Sequence, residues 1–331
     1  MAAARYNYNM KRIIALLVIV VLVVAGWSGA WIFAAGYIKG QVRNLAEADG
    51  INNPKVTCGG LAVEGFPFRF DLECTNATIS EGDQSLNVAE IAATVLVYRP
   101  THLLVFLKSP AHFEDAFTGT QRDLGWSLFE ASVRLSGWSL ARASLHVEKP
   151  RLSDTLAGDV TLATASLFEA HLVDDPEKRD SANHLQALAA YERLDALEIP
   201  GMSVTGGAMS LTGGMTGLPD DVRKWAEPGI LRAIQQAGGK LTVSSLAYKD
   251  SRASLDASGE AEIDANGRAN GRATIASRGL VDRFGTFVEE PVRTAIFGNP
   301  GADGAYTQTL DIRAGVVFAG LVPVAVIPPL F

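Results

Sequence analysis

Residues 58–74 read CGGLAVEGFPFRFDLEC, and the alternation within this stretch decides the fold class. Apolar side chains occupy every second position in its last nine residues. A spacing of two residues is typical of a β-strand with one buried face. Gly65 and Pro67 lie near the midpoint of the stretch, where they predict a tight turn between two strands. The alternating apolar positions are Phe66, Phe68, Phe70, Leu72 and Cys74.

Cys58 and Cys74 are the two cysteines of the chain. A hairpin folded at the Gly65-Phe66-Pro67 turn brings them opposite each other, and an exported protein meets conditions in which disulfides form. A redox-active pair is the alternative, but the pair has no Cys-x-x-Cys spacing and no adjacent helix start that would stabilise a thiolate. We therefore predict a structural disulfide, whose register stays open because a bulge at Gly59-Gly60 would shift it.

The N-terminal segment is long and apolar enough to cross a membrane. No residue from Ile13 to Ile38 is charged. A bilayer core about 30 Å thick is crossed by roughly 20 helical residues at about 1.5 Å each, so we expect a transmembrane anchor over Ile13–Ile32. The cations Arg5, Lys11 and Arg12 precede the anchor and favour an N-terminus in the cytoplasm and a body outside it.

A cleaved signal peptide is the alternative interpretation of this segment. Ser28-Gly29-Ala30 and Phe33-Ala34-Ala35 resemble small-residue cleavage sites. Cleavable apolar regions usually have only about 7–15 residues, which favours an uncleaved anchor. The predicted organisation is a cytoplasmic N-terminus with a transmembrane anchor over residues 1–38, and a periplasmic β-rich body over residues 39–331.

The body shows short alternating segments separated by Gly or Pro, which predict an antiparallel sheet with its strands in sequence order. Asn266-Gly267 predicts a two-residue hairpin turn. The predicted fold class is mainly β with a few helices, in which an N-terminal transmembrane helix is followed by a long curved antiparallel sheet. The predicted strands include Val88–Val97, Leu103–Leu107, Trp126–Leu135, Ser139–Glu148, Asp159–Leu167, Thr307–Ala314 and Val316–Val326.

Three helices are expected in the body. Leucines recur at helical spacing over Leu185–Leu197, which would join two sheet halves at 39–175 and 200–331. A second helix is expected after Pro219, with Pro228 kinking or splitting it. A third is expected across Val281–Ile296.

Composition and motifs argue against several functions. The net charge is −7 and no basic stripe is present, so nucleic-acid binding, which needs phosphate-neutralising side chains, is not expected. The five histidines show no metal-ligand spacing, and neither a nucleophile elbow nor a phosphate-binding loop occurs. We therefore expect no cofactor, no metal and no enzymatic activity.

The Gly65–Phe70 run between two cysteines, together with Tyr98-Arg99-Pro100 and a Pro-rich tail, resembles a known family. It is an uncharacterised family of membrane-anchored periplasmic proteins in proteobacteria, catalogued as domain of unknown function 2125. This resemblance covers nearly the whole chain and implies no activity. Residues Leu241 to Gly279 more loosely resemble the hairpins of AsmA-like envelope proteins, which implies lipid handling in an apolar groove of a long curved sheet.

The functional hypothesis is therefore an inner-membrane-anchored periplasmic protein that binds lipid or acyl chains on the apolar face of its sheet and helps to maintain the envelope. An aromatic strand face is also typical of an ordinary core. The alternative is a non-enzymatic scaffold that binds other envelope proteins through sheet edges or through the helices around Leu185–Leu197 and Val222–Ile234. The candidate groove residues are Phe66, Phe68, Phe70 and Leu72, next to the turn residues Gly65 and Pro67.

Overall fold

A single antiparallel sheet of 19 strands makes up most of the body, so the predicted fold class is confirmed. The computed structural model describes residues 2–51, 53–156, 158–284, 292–301 and 304–331. The helices are α1 Ala2–Ala46, α2 Ile230–Gln236, α3 Leu280–Phe284 and α4 Val292–Phe297. The strands of the first half are β1 Lys55–Glu64, β2 Arg69–Glu81, β3 Gln84–Leu96, β4 Arg99–Leu107, β5 Ala111–Asp115, β6 Thr120–Gly125, β7 Leu128–Ser136, β8 Ser139–Glu148, β9 Arg151–Asp154, β10 Val160–Thr164 and β11 Leu167–Asp174. Those of the second half are β12 Leu185–Ile199, β13 Val204–Pro219, β14 Lys240–Lys249, β15 Ser254–Ile263, β16 Ala269–Arg278, β17 Tyr306–Arg313, β18 Val316–Ala319 and β19 Val322–Val326.

Helix α1 is one unbroken helix whose Ile13–Ala46 part is long and apolar enough to cross a membrane. Its aliphatic side chains from Ile13 to Val24 are exposed, because no other described element packs around them. The C-terminal part differs, since it lies against β1 and buries Ala35. The helix therefore has an unpacked apolar half and a half that is docked on the body.

Many strands pair with the next strand in sequence, but at several positions in the sheet two short strands, placed end to end, take the place of one long strand. Strand β3 pairs with β4 along one half and with β5 along the other. Beyond them, β7 pairs with β4 and β6 pairs with β5. Next, β8 pairs with β7 and β9 pairs with β6. Finally, β11 pairs with β8 and β10 pairs with β9. A line of interruptions therefore crosses the sheet at right angles to its strands.

At these interruptions the main chain shifts the alternation of side chains by one position. Asn76, Lys149 and Ala196 have positive φ angles of 48°, 48° and 50°, a conformation unusual for residues other than glycine. Cys74 and Ala77, three residues apart on either side of Asn76, pack in the same apolar cluster. Without a shift they would point to opposite faces.

The helix predicted over Leu185–Leu197 is wrong, because these residues form strand β12, which pairs with both β11 and β13. Irregularities in the register lie between Gln186 and Leu188 and between Leu194 and Leu197. A strand with an extra residue at such a point separates two apolar side chains by three positions instead of two. This spacing imitates a helix in the sequence. The sheet consequently continues through this region without a joining helix.

The other predicted elements have mixed outcomes. Asn266-Gly267 lies in the turn that joins β15 and β16, but this loop spans residues 264–268 and is longer than the predicted two-residue turn. The predicted strands overlap β3, β4, β7, β8, β10, β11 and β17–β19. The second helix is split at Pro228 into a 3₁₀ helix, Val222–Ala226, and α2. The third prediction, Val281–Ile296, overlaps α3 and α4, and its residues 285–291 lie outside the described residues.

A buried glutamine, Gln186, holds the sheet together where β11 ends. It is 1% exposed. Its Oε1 accepts a hydrogen bond from the Leu140 N–H at 3.2 Å, and its Nε2 donates to the Leu140 carbonyl and, at 2.9 Å, to Asp174 Oδ1. The side-chain amide thus makes hydrogen bonds to the start of β8 of the kind that a neighbouring strand would make. It does so beyond the last pair of residues that joins β8 to β11.

We predict that Gln186→Ala lowers the free energy of unfolding by about 2 kcal/mol, because it leaves buried main-chain groups of Leu140 without partners. Gln84→Ala is the control, since Gln84 is exposed and its loss should change this free energy by less than about 0.5 kcal/mol. Urea unfolding of both full-length variants in detergent, followed by tryptophan fluorescence, measures the difference. Equal effects would contradict the role given to Gln186.

Candidate functional site

The register of the sheet aligns apolar residues of many strands into a row that runs across it. Residues opposite each other in neighbouring strands point to the same face. One such row contains only apolar side chains and glycine, with one residue from each of 14 strands. This first apolar row consists of Phe70, Val95, Leu103, Val133, Ala143, Leu172, Ala190, Gly213, Val243, Gly259, Ala273, Leu310, Ala319 and Val322.

A second apolar row runs beside the first on the same face. It starts at β1 and ends at β17, and only Glu192 and Gln308 in it are polar. Glu192 lies between Ala170 and Leu211. The second row consists of Val63, Leu72, Ala93, Val105, Ala131, Leu145, Ala170, Glu192, Leu211, Leu246, Ala257, Ile275 and Gln308. We call the face that carries both rows the apolar face.

The opposite face, called here the polar face, has a different composition. Its aligned row over β1 to β14 contains carboxylates, hydroxyls and a histidine, with Leu104 as its aliphatic residue. The row consists of Glu64, Asp71, Thr94, Leu104, Ser132, Ser144, His171, Tyr191, Thr212 and Ser245. The sheet is therefore amphipathic from β1 to β14, with one face suited to water and the other to apolar groups.

The apolar face is only partly covered. Most side chains of both rows are half-buried, Leu172 and Val322 are exposed, and Val63 and Ala319 are buried. The whole chain has an accessible surface of 20222 Å², whereas a compact protein of 35.1 kDa has about 13,000 Å². An unpacked helix and a single-layered sheet explain this excess. The two rows therefore form an open apolar surface and not the interior of a two-layered core.

One described segment packs against part of the apolar face. The 3₁₀ helix Val222–Ala226 and α2 bring Trp225 and Ile234 into one cluster with Val133 and Met215. The cluster lies at the ends of the strands, beside the connection between β13 and β14. The segment thus shelters part of the first row, while the second row stays beyond its contacts.

The β1–β2 hairpin closes one end of the apolar face with the predicted cysteine pair. Cys58 and Cys74 are joined by a disulfide, with Cα atoms 5.3 Å apart. Cys74 is buried in a cluster with Ala77, Val88 and Ala111. The disulfide thus fastens β1 to β2 on the side of the sheet where the apolar rows begin.

The other candidate residues occupy two different environments. Phe70 belongs to the first apolar row and Leu72 to the second. Phe66 and Phe68 lie in the turn before β2, which begins at Arg69, and their side chains are exposed. In the same turn Gly65 has a φ of +95°, and a Cβ atom there would lie 2.6 Å from the Arg69 Cγ, so this position requires glycine.

Aromatic contacts join this hairpin to α1. The Trp31 ring stacks on Phe70 with 5.3 Å between centroids and meets Phe66 edge-on at 5.6 Å. Trp27 Nε1 donates to the Pro67 carbonyl at 3.0 Å, and Trp31 Nε1 donates to the Arg69 carbonyl at 3.1 Å. The first apolar row therefore begins in direct contact with the apolar helix.

Charged groups with shifted pKa values lie away from the apolar rows. On the polar face, a hydrogen bond to Glu169, 3.0 Å away, raises the pKa of His146. Burial disfavours ionisation of Asp250, but hydrogen bonds from Arg283 and Tyr248 outweigh it and hold the pKa of this carboxyl well below its usual range. Both groups are held in structural pairs. Among the described residues, no three potential ligands are grouped to hold a metal ion.

Most of the residues that form the apolar face were not singled out in the sequence. Alternation marked individual strands, but the rows depend on which residues lie opposite each other, and that register is a property of the folded sheet. The β12 residues were in addition assigned to a helix. The sequence did contain one signal for these residues, which is the recurrence of alternating segments between β3 and β18, each with one apolar side.

Comparison with known proteins identifies a family. The model of one protein family, described as an uncharacterized protein conserved in bacteria (DUF2125), matches residues 31–328. This range contains the docked part of α1 and all the strands, so the chain belongs to that family, as the Gly65–Phe70 run and the cysteine pair predicted. No curated protein and no solved structure matches the chain.

We predict that replacing both cysteines, Cys58→Ala with Cys74→Ala, lowers the free energy of unfolding by about 3 kcal/mol. The disulfide closes a loop with a sequence separation of 16, and an open loop of that length gains about this much chain entropy on unfolding. Urea unfolding of the two full-length proteins in detergent measures the change. Reductant should destabilise only the native chain, and a double variant as stable as the oxidised chain would refute the prediction.

Proposed function

We propose that this member of the DUF2125 family is a membrane-anchored protein that binds lipid or other acyl chains on the apolar face of its sheet. The observation that carries the proposal is the continuity of the first apolar row, which crosses 14 strands without a polar side chain. At about 4.8 Å between strands, this row is roughly 60 Å long. One leaflet of a bilayer core is about 15 Å thick, so the row exceeds the length of an acyl chain.

The exposure of this face favours a ligand over a simple structural role. Apolar surface in contact with water costs about 25 cal/mol per Å², and soluble proteins rarely expose contiguous apolar patches larger than a few hundred Å². Exposed apolar patches mark sites that bind an apolar partner, and the two adjacent rows place apolar side chains of many strands side by side on this face. A flexible acyl chain suits a long, narrow surface, since it can contact successive strands along the row.

The location proposed for the body is the periplasm, with α1 in the inner membrane. Cations precede the apolar part of α1 at Arg5, Lys11 and Arg12, which favours a cytoplasmic N-terminus. The disulfide between Cys58 and Cys74 is of the kind that persists in oxidising compartments. In this place a lipid site would serve the maintenance of the cell envelope.

A second candidate function is that of a scaffold for other envelope proteins, and the last strand favours it. Among the described strands, β19 pairs only with β18, and Leu321 and Val326 next to and within it are exposed. An edge strand can pair with a strand of another protein. Leu321→p-benzoylphenylalanine, irradiated in cells, would cross-link one reproducible protein partner if this function holds.

The lipid proposal is tested with a photoreactive acyl chain. Bacteria that produce the full-length protein are fed a diazirine-bearing fatty acid and irradiated, and adducts are mapped to single residues by mass spectrometry. We expect adducts on residues of both apolar rows as well as on α1, which contacts the bilayer and serves as the internal standard. Adducts confined to α1 would refute the proposal.

We predict that Leu145→Asp reduces adducts on β7, β8 and β11 at least fivefold relative to α1, because a carboxylate in the second apolar row disfavours an acyl chain. Ser144→Asp is the matched control, since it introduces the same charge one residue away on the polar face and should leave the adducts unchanged. Leu145 is half-buried and not enclosed, so both variants should fold, which circular dichroism checks. Equal adduct yields from the two variants would contradict the assignment.

A further inference from the structure

The turn between β1 and β2 exposes a group of aromatic side chains at one end of the strands. Phe66 and Phe68 are 53% and 64% exposed, and Tyr98 is 69% exposed. The Val97 N–H donates to the Phe68 carbonyl at 2.9 Å, so the β3–β4 turn with Tyr98 lies beside the β1–β2 turn. We call these three residues the aromatic tip. An exposed apolar group of this kind marks a contact surface.

The contacts with α1 place the aromatic tip at a defined level along that helix. The Trp27 indole reaches the Pro67 carbonyl, and the Trp31 ring reaches Phe66 and Phe70. If the membrane-spanning part of α1 is Ile13–Ile32, Trp27 lies about 8 Å inside its outer end at about 1.5 Å per residue. The tip therefore lies within about 8 Å of the outer boundary of the hydrocarbon core, near the level at which Trp and Tyr side chains are enriched.

Part of the main chain of the turn is already hydrogen-bonded within the protein. The carbonyls of Gly65, Pro67 and Phe68 accept hydrogen bonds from the Arg69 N–H, the Trp27 indole and the Val97 N–H, respectively. Pro67 has no N–H group to satisfy. Unpaired main-chain groups are what exclude most turns from lipid. Behind the tip, Arg69 is paired with Asp71 at 2.6 Å, so its charge is locally compensated.

We propose that the aromatic tip inserts into the outer boundary of the same membrane that α1 crosses, so that the body is attached at two points. The partner is the lipid surface itself. The proposal is argued from the continuity of the tip with the anchor, through Trp27 and Trp31. It goes beyond the proposed function, because it rests on the anchor and holds whether or not the apolar rows bind lipid.

The test uses the full-length protein in sealed liposomes of phosphatidylethanolamine and phosphatidylglycerol. Phe68→p-benzoylphenylalanine places a photoreactive group at the tip. Phe117→p-benzoylphenylalanine is the matched control. Phe117 is 86% exposed and lies in the β5–β6 turn, at the opposite end of the strands from the aromatic tip. A third variant, Val105→p-benzoylphenylalanine, reports on the second apolar row. Lipid adducts on each labelled peptide are quantified by mass spectrometry after irradiation.

We expect at least tenfold more lipid adduct at position 68 than at position 117. Equal yields at the two positions, or only protein adducts at position 68, would overturn the proposal. The Val105 variant distinguishes insertion of the aromatic tip from lipid binding on the apolar face. Adducts at position 68 without adducts at 105 support insertion of the tip while counting against lipid on the apolar face, and the reverse pattern overturns insertion alone.

Discussion

The sheet depends on one constraint, which is that every strand keeps its apolar residues in phase with those of its neighbours. A slip of one residue would move the apolar set of a strand to the opposite face. In the first half of the sheet, several positions hold two short strands with an interruption between them. Residues such as Asn76, Lys149 and Ala196 adopt positive φ angles near this line of interruptions. Each interruption shifts the alternation, so apolar residues on both of its sides meet on one face, as Cys74 and Ala77 do. The irregular positions are thus part of what makes the apolar face continuous.

The second organising feature is the junction between the helix and the sheet. Trp31 stacks on Phe70, the residue at which the first apolar row begins, and Trp27 bonds to the adjacent turn. The disulfide fastens the two strands that form this junction. An apolar molecule that leaves the bilayer beside α1 would therefore meet apolar side chains from the first strand onward. The proposed lipid site and the proposed insertion of the tip both follow from this arrangement, although each has its own test.

The sequence was sufficient for the parts of the fold that depend on local pattern. The uncharged run from Ile13 predicted the apolar helix, and the alternation before Cys74 predicted the β1–β2 hairpin with its disulfide. Local pattern failed at β12, where irregularities in register give Leu194 and Leu197 the spacing of a helix. The aligned rows could not be predicted, because they depend on pairing between residues distant in the chain, such as Leu172 and Ala190. Phe66 and Phe68 continued the alternation but lie in the turn, because β2 begins only at Arg69.

The unbroken course of α1 has a mechanical consequence. The described helix shows no interruption between its unpacked half and the part that lies on β1, and two indole hydrogen bonds fix it to the hairpin. A membrane-spanning helix adapts its tilt to the thickness of the bilayer, with tilts of about 20° on average. If α1 spans a bilayer, a change in its tilt would therefore turn the attached hairpin, and the sheet that continues from it, in the same direction. Bilayer thickness would thereby set the direction in which the body points.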